Sequence, residues 1–169
     1  ANYQIDDITF INNQGSKNVF YSTAKDITFK TSSFNSTRNS DIRAIEFAAL
    51  ASIKIENISF VDFSNAQRTV DGGAIKISSD ANTASSNLLA EEANYEIYLC
   101  TFKRCKTNNK GGAIYATNVN KVEIRSCIFD DCVGDGSIVY IESTVEEFKL
   151  HFNEIMNIND PTHNIFVCW

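Results

Sequence analysis

The hydrophobic residues of this chain recur in a short, fixed pattern of alternating apolar and polar positions. Written as apolar-x-apolar-x-x-apolar-x-Phe, the pattern occurs four times with the same spacing. The four copies run from Tyr3 to Phe10, from Ile53 to Phe60, from Tyr95 to Phe102 and from Val122 to Phe129. Alternation with a period of two predicts β-strands that bury one face.

Two weaker copies bring the repeat to about six units. DITF, with Ile27 and Phe29, is interpreted as the second half of the pattern. FKLHF, with Phe148, Leu150 and Phe152, keeps the apolar content but has no clear register. Because units of 20 to 50 residues with internal similarity are typical of repeat architectures, the chain is best interpreted as a stack of similar coils.

A second strand signal follows each unit after a polar stretch of variable length. It reads GGAIKI from Gly72, GGAIYA from Gly111 and GSIVYI from Gly136, with weaker forms RAIEF, KNVFY and HNIFV. The paired glycines suit a corner where a side chain would collide or φ must be positive. Two strand signals per unit, with loops absorbing the differences in length, favour parallel coils.

These patterns predict an all-β fold, a right-handed parallel β-helix (solenoid) of about six coils. A single domain covers 1–169, with loop excursions at about 30–42 and 76–94. An antiparallel β-sandwich is the alternative, and it requires short hairpin turns midway between strands. The two Asp-Gly pairs instead lie just before a second strand signal, at Asp71 and Asp135, which favours the solenoid.

The repeat resembles that of chlamydial polymorphic membrane proteins and similar protist surface proteins, which combine GGAI with Phe-x-x-Asn. Gly72-Gly73-Ala74-Ile75 and Gly111-Gly112-Ala113-Ile114 match the first motif, and Phe10-Ile11-Asn12-Asn13 matches the second. Cysteine replaces the asparagine at Cys105 and Cys132. The resemblance implies a right-handed parallel β-helix that serves adhesion at a cell surface.

Composition and charge narrow the class of partner. The chain is 43% hydrophobic, which is enough for a folded core, and its formal net charge of −6 disfavours nucleic acid as a partner. No apolar run approaches the length of a transmembrane segment. The resemblance to surface proteins implies an extracellular protein, with glycans or cell-surface molecules as candidate partners.

The cysteines align between two neighbouring units, Cys100 with Cys127 and Cys105 with Cys132. Stacked coils would hold each pair about 4.8 Å apart, which a disulfide accepts. A ladder of reduced, buried thiols is a second interpretation, and a four-thiolate zinc site is a third. Cys168 is left without an aligned partner.

Two sequons are candidates for N-glycosylation, at Asn35 and Asn57. Asn35 is expected in an accessible polar loop within the first excursion. Asn57 is expected in a turn beside the buried side chain of Ile58.

The sequence gives no positive sign of catalysis, and we expect no catalytic, cofactor-binding or metal site. His151 and His163 stand in no recognisable triad or metal spacing. Asp131, Arg125 and Lys103 could share one exterior face, as a polysaccharide lyase would need, although solvated surface charge explains them as well. A carbohydrate-active β-helix enzyme therefore remains the rival function.

The two ends of the chain enter and leave the repeat without a polar cap. The candidates for end-to-end contact are Tyr3, Ile5, Ile8, Phe10, Ile165, Phe166, Val167 and Trp169. Unpaired strand edges recruit further strands. We therefore expect a structural or adhesive β-helix that pairs with itself head to tail, as a filament, or with flanking coils of the same protein, as a segment of a larger surface adhesin.

Overall fold

The computed structural model describes most of the chain as short strands joined by tight corners. The described residues are 2–13, 18–23, 26–36, 42–48, 52–65, 71–78, 94–117, 119, 121–134, 137–142, 147–157 and 164–168. The second predicted excursion, 76–94, and the end of the first therefore fall largely outside the described residues.

The strands follow one another in coils. The first coil holds β1 (Asn2–Asp6), β2 (Thr9–Asn13) and β3 (Asn18–Ser22). The second coil holds β4 (Asp26–Lys30), β5 (Ser33–Ser36) and β6 (Arg43–Phe47). The third coil holds β7 (Ile53–Glu56), β8 (Ser59–Val61), β9 (Ser64–Asn65) and β10 (Ile75–Ser78). The fourth coil holds β11 (Asn94–Tyr98), β12 (Thr101–Lys103), β13 (Lys106–Thr107) and β14 (Ile114–Thr117). The fifth coil holds β15 (Lys121–Arg125), β16 (Ile128–Asp130) and β17 (Ser137–Glu142), and the last holds β18 (Glu147–His151), β19 (Glu154–Met156) and β20 (Asn164–Cys168).

Equivalent strands stack into three parallel six-stranded sheets. Face 1 has the order β1-β4-β7-β11-β15-β18, face 2 the order β2-β5-β8-β12-β16-β19, and face 3 the order β3-β6-β10-β14-β17-β20. A small fourth sheet pairs β9 with β13. The prediction of an all-β parallel solenoid is confirmed, with the second to fifth coils flanked on both sides.

Each coil has three main faces, whereas the sequence signals predicted two strands. In each coil one residue with positive φ, between 44° and 56°, turns the chain between face 1 and face 2, and further positive-φ residues, such as Arg104 and Asp131, lie directly after face 2. The corner residues between face 1 and face 2 are Asp7, Thr31, Asn57, Leu99, Ser126 and Phe152. The repeated eight-residue pattern is therefore two strands with a left-handed corner between them, which we call corner 1.

The register corrects the assignment of the two weaker copies. Phe29 lies opposite Ile5 and Ile55 on face 1, so DITF is the first half of the pattern and not the second. Phe34 takes the anchor position on face 2, opposite Phe10 and Phe60. In this copy Ser32 occupies the inward corner position, where the strong copies have an apolar residue or cysteine, and this difference hid the alignment.

The register of the last coil also differs from the predicted alignment. Phe152 is 93% exposed at corner 1, and Ile155 takes the anchor position opposite Phe129. Phe148 and Leu150 lie opposite Val122 and Ile124, as members of the inward ladders of face 1.

Five phenylalanines form a ladder along face 2: Phe10, Phe34, Phe60, Phe102 and Phe129. Successive ring centroids are 4.5 to 5.4 Å apart, and the rings are nearly parallel. The four predicted anchors therefore belong to one stack. Because the solenoid places equivalent residues one strand spacing apart, identical aromatic rings stack on each other in the interior.

The paired glycines serve both of the purposes expected of them. Gly72 and Gly111 have φ of +74° and +71°. A Cβ on Gly73 would collide with the carbonyl oxygen of Gly112, and a Cβ on Gly112 would collide with the backbone of Val133. Neighbouring coils therefore approach at this corner as closely as backbone allows.

Candidate functional site

The two ends of the solenoid are its most distinctive surfaces. β1, β2 and β3 each lie at one edge of their sheets, and we call this edge the head end. β18, β19 and β20 lie at the opposite edges, which form the tail end. Each end strand therefore has a pairing partner on one side only among the described strands.

The core is incomplete at both ends. Central inward residues are almost fully buried, as Ile55, Ile97 and Ile124 show. The apolar residues that pack on the core but stay only partly buried are Ile5, Phe10, Val19, Phe20, Phe148, Leu150 and Ile155. All seven belong to the first or the last coil, so the shortage of burial is a property of position in the stack.

The structure places most of the predicted end-contact residues at these two ends. Tyr3 is 55% exposed, Ile8 is 39% exposed, and Ile5 and Phe10 are partly buried. Ile165, Phe166 and Val167 lie in β20, whose backbone pairs with β17, and their side chains are outside the described residues. Trp169 also lies outside the described residues.

Four cysteines line two corners of the interior, and all four are free thiols. Cys100 and Cys127 follow corner 1 in adjacent coils, while Cys105 and Cys132 follow the corner between face 2 and the next segment, which we call corner 2. The prediction that each pair stacks is confirmed, but the predicted disulfides are not present. Burial raises the pKa of the Cys100 and Cys105 thiols well above the ordinary value, so both keep their protons.

The four thiols lie within hydrogen-bonding distance of carbonyl oxygens in the coil that precedes their own. The Cys127 thiol donates to the Ile97 carbonyl oxygen at 3.6 Å, and the Cys132 thiol donates to the Phe102 carbonyl oxygen at 3.3 Å. Cys100 and Cys105 donate in the same way to Ile55 and Phe60. Each thiol also has a carbonyl acceptor in its own coil, at 3.3 Å for Cys100 to Tyr98 and 3.4 Å for Cys127 to Arg125, and its single proton is shared between the two acceptors.

Polar side chains at corner 1 accept hydrogen bonds from backbone N–H groups of the neighbouring coil. The backbone turns away from the sheet ladder at this corner, and the N–H that follows the corner residue needs a side-chain acceptor. The Ile8 N–H donates to the Ser32 hydroxyl at 3.2 Å, and the Cys127 N–H donates to the Asn153 side-chain oxygen at 3.0 Å. The Cys100 N–H contributes the same kind of bond to Cys127. Serine, cysteine and asparagine are therefore equivalent at one ladder position.

Corner 2 carries a network of opposite charges on its outer surface. Arg104 donates two hydrogen bonds to Asp62, one of them at 2.8 Å, and so joins the fourth coil to the third. Lys106 Nζ lies 3.1 Å from an Asp131 carboxylate oxygen, which joins the fourth coil to the fifth. Lys103 pairs with Asp130 at 3.2 Å. A cationic fourth coil lies between acidic neighbours.

The three residues that a polysaccharide lyase would need on one face, Asp131, Arg125 and Lys103, have separate partners in the structure. Lys103 pairs with Asp130, and Asp131 pairs with Lys106. Arg125 lies on face 1, where its guanidinium carbon is 4.6 Å from the centroid of the Tyr98 ring. The structure therefore does not bring the three together as one acid-and-base group.

Asn57 lies where it was expected, in a turn beside the buried Ile58, whereas Asn35 does not. Asn35 lies within β5, opposite Val61 on face 2, and not in a loop. Asn57 is the exposed corner 1 residue of the third coil, with φ of 53°. Glycosylation at either residue stays a prediction.

Among the described residues, no three or more His, Cys, Asp or Glu side chains group so that they could hold a metal ion. In the same part of the chain, no helix is long and apolar enough to cross a membrane. His163 lies outside the described residues, and His151 is exposed on β18. Comparison with family models, with curated proteins and with solved structures gives no match to this chain.

Proposed function

We propose that this chain is a non-enzymatic structural or adhesive β-helix that works outside the cell, and that both of its ends pair with further coils. The observation that carries the proposal is the incomplete core at both ends: among the described residues, the apolar side chains that pack on the core yet stay partly buried all lie in the first or last coil. A further coil on each end would remove this apolar surface from water and would pair the free edges of the strands.

The outer surface supports a structural role for the central coils. Carboxylates on neighbouring coils pair with lysine or arginine, as in Lys30 with Glu56 and Lys110 with Glu142. Such ladders add stiffness along the stack while contributing little stability individually, because exposed ion pairs are weak. The adhesive part of the proposal, and the location outside the cell, rest on the resemblance to the GGAI surface proteins.

The further coils could come from a second copy of the chain, which would build a filament, or from flanking coils of the same protein, as in a larger adhesin. The rival function, a carbohydrate-active enzyme, would need carboxylates gathered in a groove. The pairing of Asp62, Asp130 and Asp131 with basic side chains gives that rival no support.

Sedimentation velocity over a wide range of concentration tests the proposal, together with Ile5→Lys. Ile5 faces inward on the head end, so a lysine there should block pairing. Thr28→Lys is the matched control, since Thr28 lies on β4 at a position that faces outward. We expect the parent chain and the control to associate and Ile5→Lys to stay monomeric. A parent chain that is monomeric throughout, with amides of both end coils protected from exchange, would contradict the proposal.

A further inference from the structure

We infer that Asn57 carries an N-linked glycan, and that the first sugar of this glycan lies across corner 1 and covers the side chain of Leu99. The inference rests on one part of the proposed function, the location outside the cell, since sequons are glycosylated in secreted proteins. It goes beyond that function by naming a modified residue and the surface that receives the sugar. Two features carry it: the groove beside Asn57 and the exposed position of Leu99.

Asn57 lies on the outer side of corner 1 with its side chain exposed. Its N–H donates to the Tyr98 carbonyl oxygen at 3.1 Å, which fixes the backbone of the residue to the next coil. The corner residue of the preceding coil, Thr31, is short and also exposed. A sugar joined to the Asn57 side chain therefore leaves the core undisturbed.

An open groove of about 270 Å³ has Asn57 in its wall. Hydroxyl groups line this groove, among them those of Ser33, Ser59 and Thr101, which follow one another along face 2 in successive coils. No charged side chain is among the described residues of the wall. Hydroxyl groups both donate and accept hydrogen bonds, as the hydroxyl groups of a sugar also do. The groove therefore suits a neutral sugar.

Leu99 supplies an apolar side chain to the same groove. It is 54% exposed, and among the described residues of the second to fifth coils it is the one exposed large apolar side chain. It also has φ of 56°, a conformation that costs leucine more than it costs asparagine or glycine. One face of a pyranose ring carries mainly C–H groups. A sugar that rests on Leu99 therefore removes apolar surface of both from water.

The acceptor and this apolar side chain are neighbours along the stack. Glu56 lies opposite Tyr98 and Ser59 opposite Thr101, so Asn57 and Leu99 hold equivalent positions in adjacent coils. Equivalent residues in adjacent strands are about 4.8 Å apart. The first sugar on Asn57 is therefore within reach of Leu99.

The modification is a transfer from a lipid-linked oligosaccharide diphosphate to the chain before it folds. The Asn57 amide nitrogen forms a bond to the anomeric carbon of the first sugar, and the bond from that carbon to the diphosphate oxygen breaks. The lipid diphosphate leaves with the electron pair of the broken bond, and the amide loses one proton to the transferase. Ser59 completes the acceptor motif. The folded solenoid then has only to accommodate the sugar, which the exposure of Asn57 allows.

Peptide mass spectrometry of the whole chain, secreted from eukaryotic cells, tests the modification. Ser59→Ala removes the acceptor motif and Asn57→Gln removes the acceptor itself, while Thr37→Ala removes only the other sequon and is the matched control. We expect most molecules of the parent and of the control to carry a glycan on the Asn57 peptide. We expect no glycan at residue 57 in the other two variants.

The outcomes separate this inference from the proposed function. A secreted parent chain with an unmodified Asn57 overturns the inference, whereas its association in sedimentation still supports the proposed function. A chain that is glycosylated at Asn57 but never associates supports the inference and contradicts the pairing of the ends.

Thermal unfolding before and after enzymatic removal of the glycan tests where the sugar lies. The enzyme converts Asn57 to aspartate, and in the parent chain this should lower the unfolding midpoint by about 2 to 4 °C, because Leu99 is uncovered. Leu99→Ser should abolish the shift. Ser126→Ala, at the corner 1 position of the next coil, is the matched control and should keep it. No shift in the parent, or an equal shift in Leu99→Ser, would overturn the inferred cover of Leu99.

Discussion

The central coils and the end coils of this solenoid follow the same pattern but reach different degrees of burial. On face 1, Ile55, Ile97 and Ile124 are essentially buried, while Ile5 and Leu150 in the same ladder are only partly covered. The residue types and the register match, so the difference comes from the missing neighbour. Burial in a solenoid is thus supplied by adjacent coils more than by the coil itself.

Shortening the phenylalanine ladder should give the largest difference between the two regions. Phe102 lies between Phe60 and Phe129, with both ring centroids 5.0 Å away. Phe102→Ala should lower the free energy of unfolding by about 3 to 5 kcal/mol, because it leaves a cavity with rings on both sides. Phe10→Ala removes a ring that stacks on Phe34 alone in this ladder, and it should cost about 1 to 2 kcal/mol.

Urea unfolding of the two variants checks this prediction. Equal losses of stability would mean that the first coil is as well packed as the fourth. That result would remove the main difference between the end coils and the central ones.

The glycine corner belongs to the central coils and should be the next most sensitive site. Gly111 has φ of +71°, and a Cβ there would collide with the backbone of Ile114. Gly111→Ala should therefore lower the free energy of unfolding by about 2 to 3 kcal/mol. Leu99, at corner 1, also has positive φ, yet its side chain points to solvent.

Leu99→Gly is the matched control, because it relieves a left-handed conformation without opening a gap. It should change stability by less than about 1 kcal/mol in either direction. Thermal unfolding of the two variants tests this reasoning: if Gly111→Ala is no more destabilising than Leu99→Gly, the left-handed turn at Gly111 has room for a side chain beside the Ile114 carbonyl group.

Loss of a thiol in the central coils should destabilise the fold less than a change at the glycine corner. It should destabilise the fold more than loss of Asn153, which occupies the same ladder position in the last coil. Cys127→Ala deletes a buried donor to Ile97 and leaves a small cavity, so it should cost about 1 to 3 kcal/mol. Cys127→Ser keeps a donor and acceptor and should cost less. Asn153→Ala, in the half-exposed last coil, should cost about 1 kcal/mol. Denaturant titrations of the three variants give their order of stability. A serine variant that is less stable than the alanine variant would contradict the prediction.

The sequence predicted the solenoid because its apolar residues alternate in the same way in every strong unit. It did not predict the three faces, since the break from a spacing of two to a spacing of three, as between Ile5 and Ile8, is the sign of a corner. That sign was present but was interpreted as part of one strand. Phe29 was misplaced for a related reason: Ser32 occupies the inward corner position, so the copy looked incomplete.

The candidate site could be predicted only in part. The repeat pattern alone predicts that the ends lack caps. The residues that stay exposed at the ends, however, are determined by how adjacent coils pack on each other. Cysteine pairing followed from alignment, yet its chemistry did not: a stacked pair of thiols can bond to each other or to carbonyl groups. The hydrogen bonds of Ser32 and Asn153 at the same ladder position show that this corner favours a side chain that bonds to backbone.

The smallest expected effect concerns the docking of the last coil on the fifth in acid. The Asn157 side-chain amide donates to the Asp130 carboxylate at 2.6 Å, and Lys103 lies 3.2 Å from it; both lower the pKa of Asp130. A carboxyl whose folded pKa is lowered stabilises the fold above its unfolded value, near 3.9, and this stabilisation is lost as the pH falls through the folded pKa. Asn157→Ala should therefore reduce the loss of stability between pH 6 and pH 3 by about 0.5 to 1 kcal/mol, measured by urea titration at each pH. In an Asp130→Asn background the same change should leave the pH dependence unaltered, because the titrating group is gone. If Asn157→Ala alters the pH dependence equally in both backgrounds, its effect comes from the packing of the end coil and not from Asp130.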